Sequence, residues 1–333
     1  MTTPTENLES DSGQNYTRPE FPIRPSSVGK RNQAIMVLLL CGCALITVGT
    51  TFGIIYMLIS ESLGFFAGPD INLWSFLTDS VWDLKTDDNG EPANDCRYGV
   101  LPLLSGTLRI TVIAMVIALP LGLVTAVYLS EYAPRAIRAI LKPTLEILAG
   151  IPTVVLGFFA VTFITPSVLK PMGGILGAFQ TYNGAAAGIA VGILCIPLVA
   201  SLAEDALRSV PMALREGSYG LGSTKLEATV KVIIPAALSG IISAFLLALA
   251  RAIGETMVVA LAAGVAPTFT ADPRLSSQTM TGFIVHTFNS ESVVPGTTGY
   301  NAIYAVAALL FVITFGITLI GQLIRLRYRE EYN

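Results

Sequence analysis

Three charged side chains stand inside long apolar stretches of this chain, where an ionised group costs at least about 2.5–3.5 kcal/mol on insertion scales. They are Arg109, in an apolar run over residues 103–129, and Arg251 and Glu255, in a run over about 236–265. Residues retained at such a cost mark a transport path or a paired structural contact. Arg251 and Glu255 are four apart, so a helix sets them on one face within pairing reach. One reading is a salt bridge that fixes helix packing. The other is a transient positive site for an anion, with Glu255 moderating its strength, because passage needs binding weak enough to release. Thr256 places a hydroxyl next to that pair. Arg109, with Thr107 and Thr111 nearby, fits either a snorkelling anchor or the outer step of the same path. The planar fork of arginine suits a tetrahedral oxyanion. That favours phosphate, sulfate or a relative over sugars and amino acids, without choosing among them.

The elements that must position these residues are membrane helices. Of 333 residues, 53% are hydrophobic and 13% charged, with a mean hydropathy of +0.66. A soluble chain carries about 25% charged residues. Six apolar runs reach spanning length, over 34–59, 103–129, 143–164 (with Glu146 near its start), 184–203, 236–265 and 302–323. The expected fold is therefore an all-α membrane protein with six transmembrane helices. Residues 1–33 are polar and aperiodic and read as a disordered tail, with a second short tail over 325–333. The first apolar run follows this long polar lead, so it reads as a retained anchor rather than a cleaved signal peptide.

Lysine and arginine orient the spans. Fourteen fall in the two tails and in the loops between runs two and three and runs four and five; four, Lys85, Arg97, Lys170 and Arg274, fall on the other side. Both termini are expected in the cytoplasm. Two long outer loops result. The first, 61–102, holds Trp74 and Trp82, expected at the membrane–water interface, and an acidic stretch from Asp83 to Glu91 that lacks EF-hand spacing and has a turn signal at Asn89-Gly90. The second, 266–301, holds the lone histidine, His286, expected to be solvated. A net charge of −3 gives no case for nucleic acid, and one histidine gives none for a histidine-based metal or acid–base site. Cys41, Cys43, Cys96 and Cys195 form no disulfide framework.

The loop over 204–235 is long for a connector and has helical spacing of its own: a helix over 204–214 bent at Pro211, a glycine-flanked turn at Gly222, and a second short helix over about 225–231. Within it Glu216-Gly217-Ser218 is followed by Gly222 and, after nine residues, by Val232-Ile233-Ile234-Pro235. This resembles the EAA signature of ABC importer permeases, in spacing throughout and in residue character at most positions. The resemblance implies the type I importer permease (MetI-like) fold, with residues 216–226 as a coupling helix seated in a cleft of an ATPase subunit. Glu216, Gly217, Ser218, Gly222, Lys225 and Pro235 would belong to that coupling device, and the small residues Gly217, Ser218 and Gly222 suit a close approach. The chain lacks the order G-x-x-x-x-G-K-[ST] of a phosphate-cradling loop, so ATP and magnesium belong to a partner and no catalytic residue is assigned here.

Substrate choice comes from further resemblance. Ala250-Arg251-Ala-Ile-Gly254-Glu255-Thr256-Met257, Ala149-Gly150-Ile151-Pro152-Thr153-Val154 and Tyr128-Leu-Ser-Glu131-Tyr132-Ala133-Pro134 are similar to segments of phosphate importer permeases. Met257 and the acidic outer loop are closer to the PstC type than to the PstA type. The resemblance implies a PstA-type permease, two PstB-type ATPase subunits and a PstS-type phosphate-binding protein as partners, in a bacterial cytoplasmic membrane. It implies alternating access to inorganic phosphate, with Pro120 and Pro152 as sites of helix bending. A permease for sulfate or molybdate, or a channel or ion-coupled carrier without an ATPase, is the alternative.

Overall fold

Apolar chain deprived of water must satisfy its backbone N–H and C=O groups internally, and a helix does so within one segment. The computed structural model describes residues 27–67, 71–83, 97–290 and 297–327, and these are helical almost throughout. Most of the N-terminal tail, the acidic stretch with Asn89-Gly90, and Cys96 lie outside the described residues. Five helical stretches are long and apolar enough to cross a membrane: Asn32–Phe66, Leu101–Tyr132, Thr153–Ile175, Gly184–Arg208 and Thr298–Ile324. A sixth is a bent pair, Lys225–Ala236 and Leu238–Ile253, which meet at 70°.

The chain forms two units, Met1–Ile55 and Tyr56–Asn333. The described part of the first unit is the leading portion of α1 (Ser27–Phe66), whose Leu38, Leu45 and Ile46 are each over 70% exposed. Such a face suits hydrocarbon rather than water.

In the second unit, α3 (Leu101–Val127) packs along α7 (Gly184–Arg208). Small residues permit this. Added at Gly188, a Cβ would lie 2.7 Å from the Ile113 side chain, and at Gly192 it would lie 3.1 Å from the Ala114 carbonyl oxygen. Without a water-driven hydrophobic term between helices in lipid, such close backbone packing supplies much of the association. α11 (Leu238–Ile253) lies against α7 and α14 (Thr298–Arg327), and α12 (Met257–Ala262) lies against α5 (Thr153–Phe159). At the end of the bundle where α3 starts, Phe65, Phe76, Trp82, Tyr98 and Phe283 pack edge to face around a two-residue antiparallel pair, Trp82–Asp83 with Arg97–Tyr98. Trp82, 5% exposed, is thus a core residue rather than an interface one, while Trp74 is exposed.

Two expected spans need correction. The third was placed at 143–164, but α4 (Arg135–Ala149) ends at Gly150 and a new helical stretch starts beyond Pro152, over Thr153–Ile175. The α4 sequence carries apolar residues on one face and Arg138 and Lys142 on the other, so it forms a separate amphipathic helix. The fifth, placed at 236–265, is interrupted at Gly254-Glu255-Thr256, so α11 and α12 are separate helices. Residues 27–33, assigned to the disordered tail, begin α1.

A side chain at Gly188 would wedge α3 from α7. Overpacking of this kind costs roughly 1–3 kcal/mol or more, so Gly188→Leu is expected to lower the thermal midpoint in detergent clearly, while Gly217→Leu, which meets open space, leaves it nearly unchanged.

Candidate functional site

The interruption of the fifth span decides the relation of Arg251 to Glu255. Because α11 ends at Ile253, the two residues do not share a helical face, and among the described residues no ion pair joins them. Of the two readings of this pair, the salt bridge that fixes helix packing is not formed. Glu255 is buried and turns to the start of α12, where its Oε1 accepts from the Val258 N–H at 3.4 Å. Its own carbonyl accepts from the Thr281 hydroxyl at 2.8 Å. Thr256 Oγ1 closes the turn on the Gly254 carbonyl at 3.1 Å. Arg251 is exposed on this chain. Non-helical backbone within a span is tolerated where protein buries it or where it lines a water-filled cavity; here Thr281 of α13 (Met280–Phe288) covers one side. His286, expected to be solvated, donates from Nε2 to the Ala260 carbonyl at 3.0 Å and ties α13 to α12.

Arg109 is not brought to that break. Its Nη1 donates to the carbonyls of Thr270, at 2.9 Å, and Asp272, in the loop 263–279 between α12 and α13. The same loop covers the start of α7, its Leu275 and Pro273 carbonyls accepting from the N–H groups of Gly184 and Ala185, while Asn183 Oδ1 caps the helix through Ala186. Arg109 therefore sews α3 to the 263–279 loop, with Nε and Nη2 buried and unpartnered. Arg274 grips the Asp272 carboxylate through Nε and Nη2 at 2.8 and 2.6 Å. Those hydrogen bonds, from side chain and then backbone, hold the Asp272 carboxyl far below the usual range, at about 2.

At the opposite end lies a rigid ledge. Pro211 starts α8 (Met212–Gly220), Gly222 turns the chain at φ +85°, and Thr224 and Glu227 cap α9 (Lys225–Ala228) reciprocally. Helical turns then continue to Ala236, with Pro235 exposed just before the 70° bend. Glu216, Gly217, Gly222 and Lys225 are exposed, as expected of a contact surface. Ser218 is not. It is buried, its hydroxyl donating to the Arg215 carbonyl at 2.8 Å, so its place is beneath the ledge. The tip is apolar instead, with Leu221 89% exposed beside Met212, Tyr219 and Leu226.

Two contacts tie the ledge to the end of the second span. Arg215 Nη1 reaches both oxygens of Glu131 at 2.6 and 2.7 Å, and Nη2 donates to the Leu207 carbonyl at 2.8 Å. The side chains are 13% and 4% exposed. Lys225 Nζ stands 4.9 Å over the Tyr132 ring. The stretch Leu101–Tyr132 is about 48 Å long at about 1.5 Å per residue, longer than a hydrocarbon core of about 30 Å, which lets its end reach the ledge. Alongside, Glu204, fully buried, accepts from Arg138 and from Lys142 at 2.9 Å, and fastens α4 to α7. Sequence reasoning gave no role to Glu131, Tyr132 or Glu204. Arg138 and Lys142, four apart on a helix, were the available signal for the last.

The second span, the apolar bundle, the broken fifth span and the ledge after the fourth define an ABC importer permease fold. A bacterial ABC transporter "involved in the import of the acidic polysaccharide alginate" has this fold, with a TM-score of 0.59 over 90% of this chain and 99% of that one at 16% identity. Residues 118–330 match the binding-protein-dependent transport system inner membrane component, and the chain belongs to that family. It is 31% identical to the probable ABC transporter permease YqgH of Bacillus subtilis, over 84% of this chain and 86% of that protein. It is 30% identical to the phosphate transport system permease PstC of Mesorhizobium japonicum, over 82% and 86%. The chain is accordingly a multi-pass component of an ABC importer and resembles the PstC type.

Asp272 supplies a pH test of the 263–279 loop. A depressed carboxyl contributes stability that is fully present above its unfolded value of about 3.9 and is lost as pH falls through about 2. Pepsin cleavage within 266–279 is expected to stay slow at about pH 4 and rise toward about pH 2, and Asp272→Asn is expected to remove that dependence.

Proposed function

We propose that this chain is the PstC-type half of an ATP-driven phosphate import pore in a bacterial cytoplasmic membrane, with both termini in the cytoplasm. Its partners would be a PstA-type permease, two PstB-type ATPase subunits that hold ATP and magnesium, and a PstS-type binding protein that delivers phosphate from outside. The relatives named for phosphate transport support the substrate. The observation that carries the reading is Arg251: a guanidinium in a spanning stretch, exposed on this chain and without an intrachain ion pair among the described residues, next to a break in its helix.

Such a group offers two parallel donors to a tetrahedral oxyanion. Glu255, held at the start of α12 and not against Arg251, leaves that fork free and keeps the break in register. Thr256 adds a hydroxyl beside it, and Arg109 shapes the outer loop through which the anion enters. On the cytoplasmic side the ledge of Glu216, Gly217, Gly222, Lys225 and the apolar tip docks on the ATPase. Ser218 supports it from below, and Pro235 sits where ledge meets span. Motor closure swings the ledge, and the Arg215–Glu131 and Lys225–Tyr132 contacts carry that swing to the second span.

Arg251→Gln in the reconstituted complex is expected to abolish uptake while all subunits still co-purify, and phosphate-loaded binding protein is expected to stimulate ATP hydrolysis by the unaltered complex. Full uptake by the variant would reduce Arg251 to a packing role. Stimulation by sulfate or molybdate and not by phosphate would move the complex to another oxyanion.

A further inference from the structure

Beneath the ledge, the end of the second span, the start of α4 and the end of α7 enclose an open cleft of about 620 Å³. Arg135, Arg138, Arg208, Arg215 and Lys225 line it, from α4, α7, α8 and α9. Among the described residues the carboxylates on its wall are Glu131 and Glu216, and Glu131 is already spent on Arg215.

The nearby acids do not balance the rest. Glu204 serves Arg138 and Lys142 at once, and Arg208 approaches it only to 3.8 Å. Asp205 takes the remaining contact of Lys142. Arg135 is exposed and makes no ion pair among the described residues. Lys225 rests on a neutral ring. Among the described residues six cations thus face four carboxylates, leaving two positive charges in excess. Burial, and after it the adjacent Arg208, hold the Arg138 guanidinium below its ordinary value, as expected in a cluster short of anions. The bias of basic residues toward the cytoplasm accounts for their presence. It does not account for their convergence from four elements on one concavity.

We propose that this cleft binds a phosphate-type oxyanion, with Arg135, Arg208 and Lys225 donating charge-assisted hydrogen bonds from three different elements. A phosphate group carries about −1.5 to −2 at pH 7 and matches the local excess. Bound there, it links α4 and α7 to the ledge and restrains the ledge; this consequence, unlike the binding, rests on the coupling reading above. The same chemistry is offered by free inorganic phosphate and by the headgroup of an anionic phospholipid.

The test uses the co-purified complex in nanodiscs without binding protein. In phosphatidylcholine nanodiscs, radiolabelled inorganic phosphate is titrated against the unaltered complex, Arg135→Gln/Arg208→Gln and Arg251→Gln. Loss of a charge-assisted hydrogen bond weakens binding about tenfold or more. The cleft is the site of free phosphate if the double variant loses at least that much and Arg251→Gln does not. ATP turnover is then compared between phosphatidylcholine and phosphatidylglycerol nanodiscs. A difference present in the unaltered complex and absent from the double variant assigns the site to a lipid headgroup. If neither phosphate binding nor lipid dependence changes in a double variant that still assembles, the proposal is overturned. Because Arg251→Gln uptake is read separately, failure here leaves the assignment of the transport path standing.

Discussion

The ion pair between Arg215 and Glu131 is the constraint on which the ledge-bearing end of this protein depends. It is nearly buried, two-pronged, and backed by the Leu207 carbonyl. Removing one partner of a buried pair leaves an uncompensated charge and costs about 3–5 kcal/mol. With so much at stake the ledge cannot drift from the second span, and α8 is joined to the apolar bundle through a contact rather than a flexible loop alone. The second span in turn packs on α7 through glycines that leave no slack. The coupling proposed for the ledge draws on the same property, because packed cores are bistable rather than continuously deformable.

The same economy governs the other polar groups in an apolar chain. Glu204 is fully buried yet bonded to two cations, and it fixes the amphipathic α4 to the bundle. Asn183 and carbonyls of the 263–279 loop satisfy the first N–H groups of α7, and Arg109 holds that loop to α3. Glu255 and Thr281 do the corresponding work at the break in the fifth span. Arg251, at the end of α11, makes no such contact among the described residues.

Much of this was legible in the sequence. Apolar length predicted helices, and the spacing from Glu216 through Gly222 to Pro235 marked the ledge, because glycine at φ +85° and proline at a bend are demands of the backbone itself. The break at Gly254-Glu255-Thr256 was not legible. Its residues are compatible with a helix, and tertiary contacts with Thr281 and the α12 N-terminus override the four-residue spacing that suggested a pair. Gly150-Ile151-Pro152 was misjudged for the opposite reason: hydropathy ran through a local stop signal that proline supplies. The partnerships of Glu131 with Arg215 and of Glu204 with Arg138 join residues more than 60 positions apart, which no local pattern reports.

The most direct measurement is the number of phosphate ions imported per ATP hydrolysed by complexes carrying Glu131→Gln, with subunit assembly checked by co-purification. If the buried pair transmits motion, the variant keeps its ATPase and continues to hydrolyse ATP while that ratio falls severalfold. An unchanged ratio in an assembled complex would contradict the account.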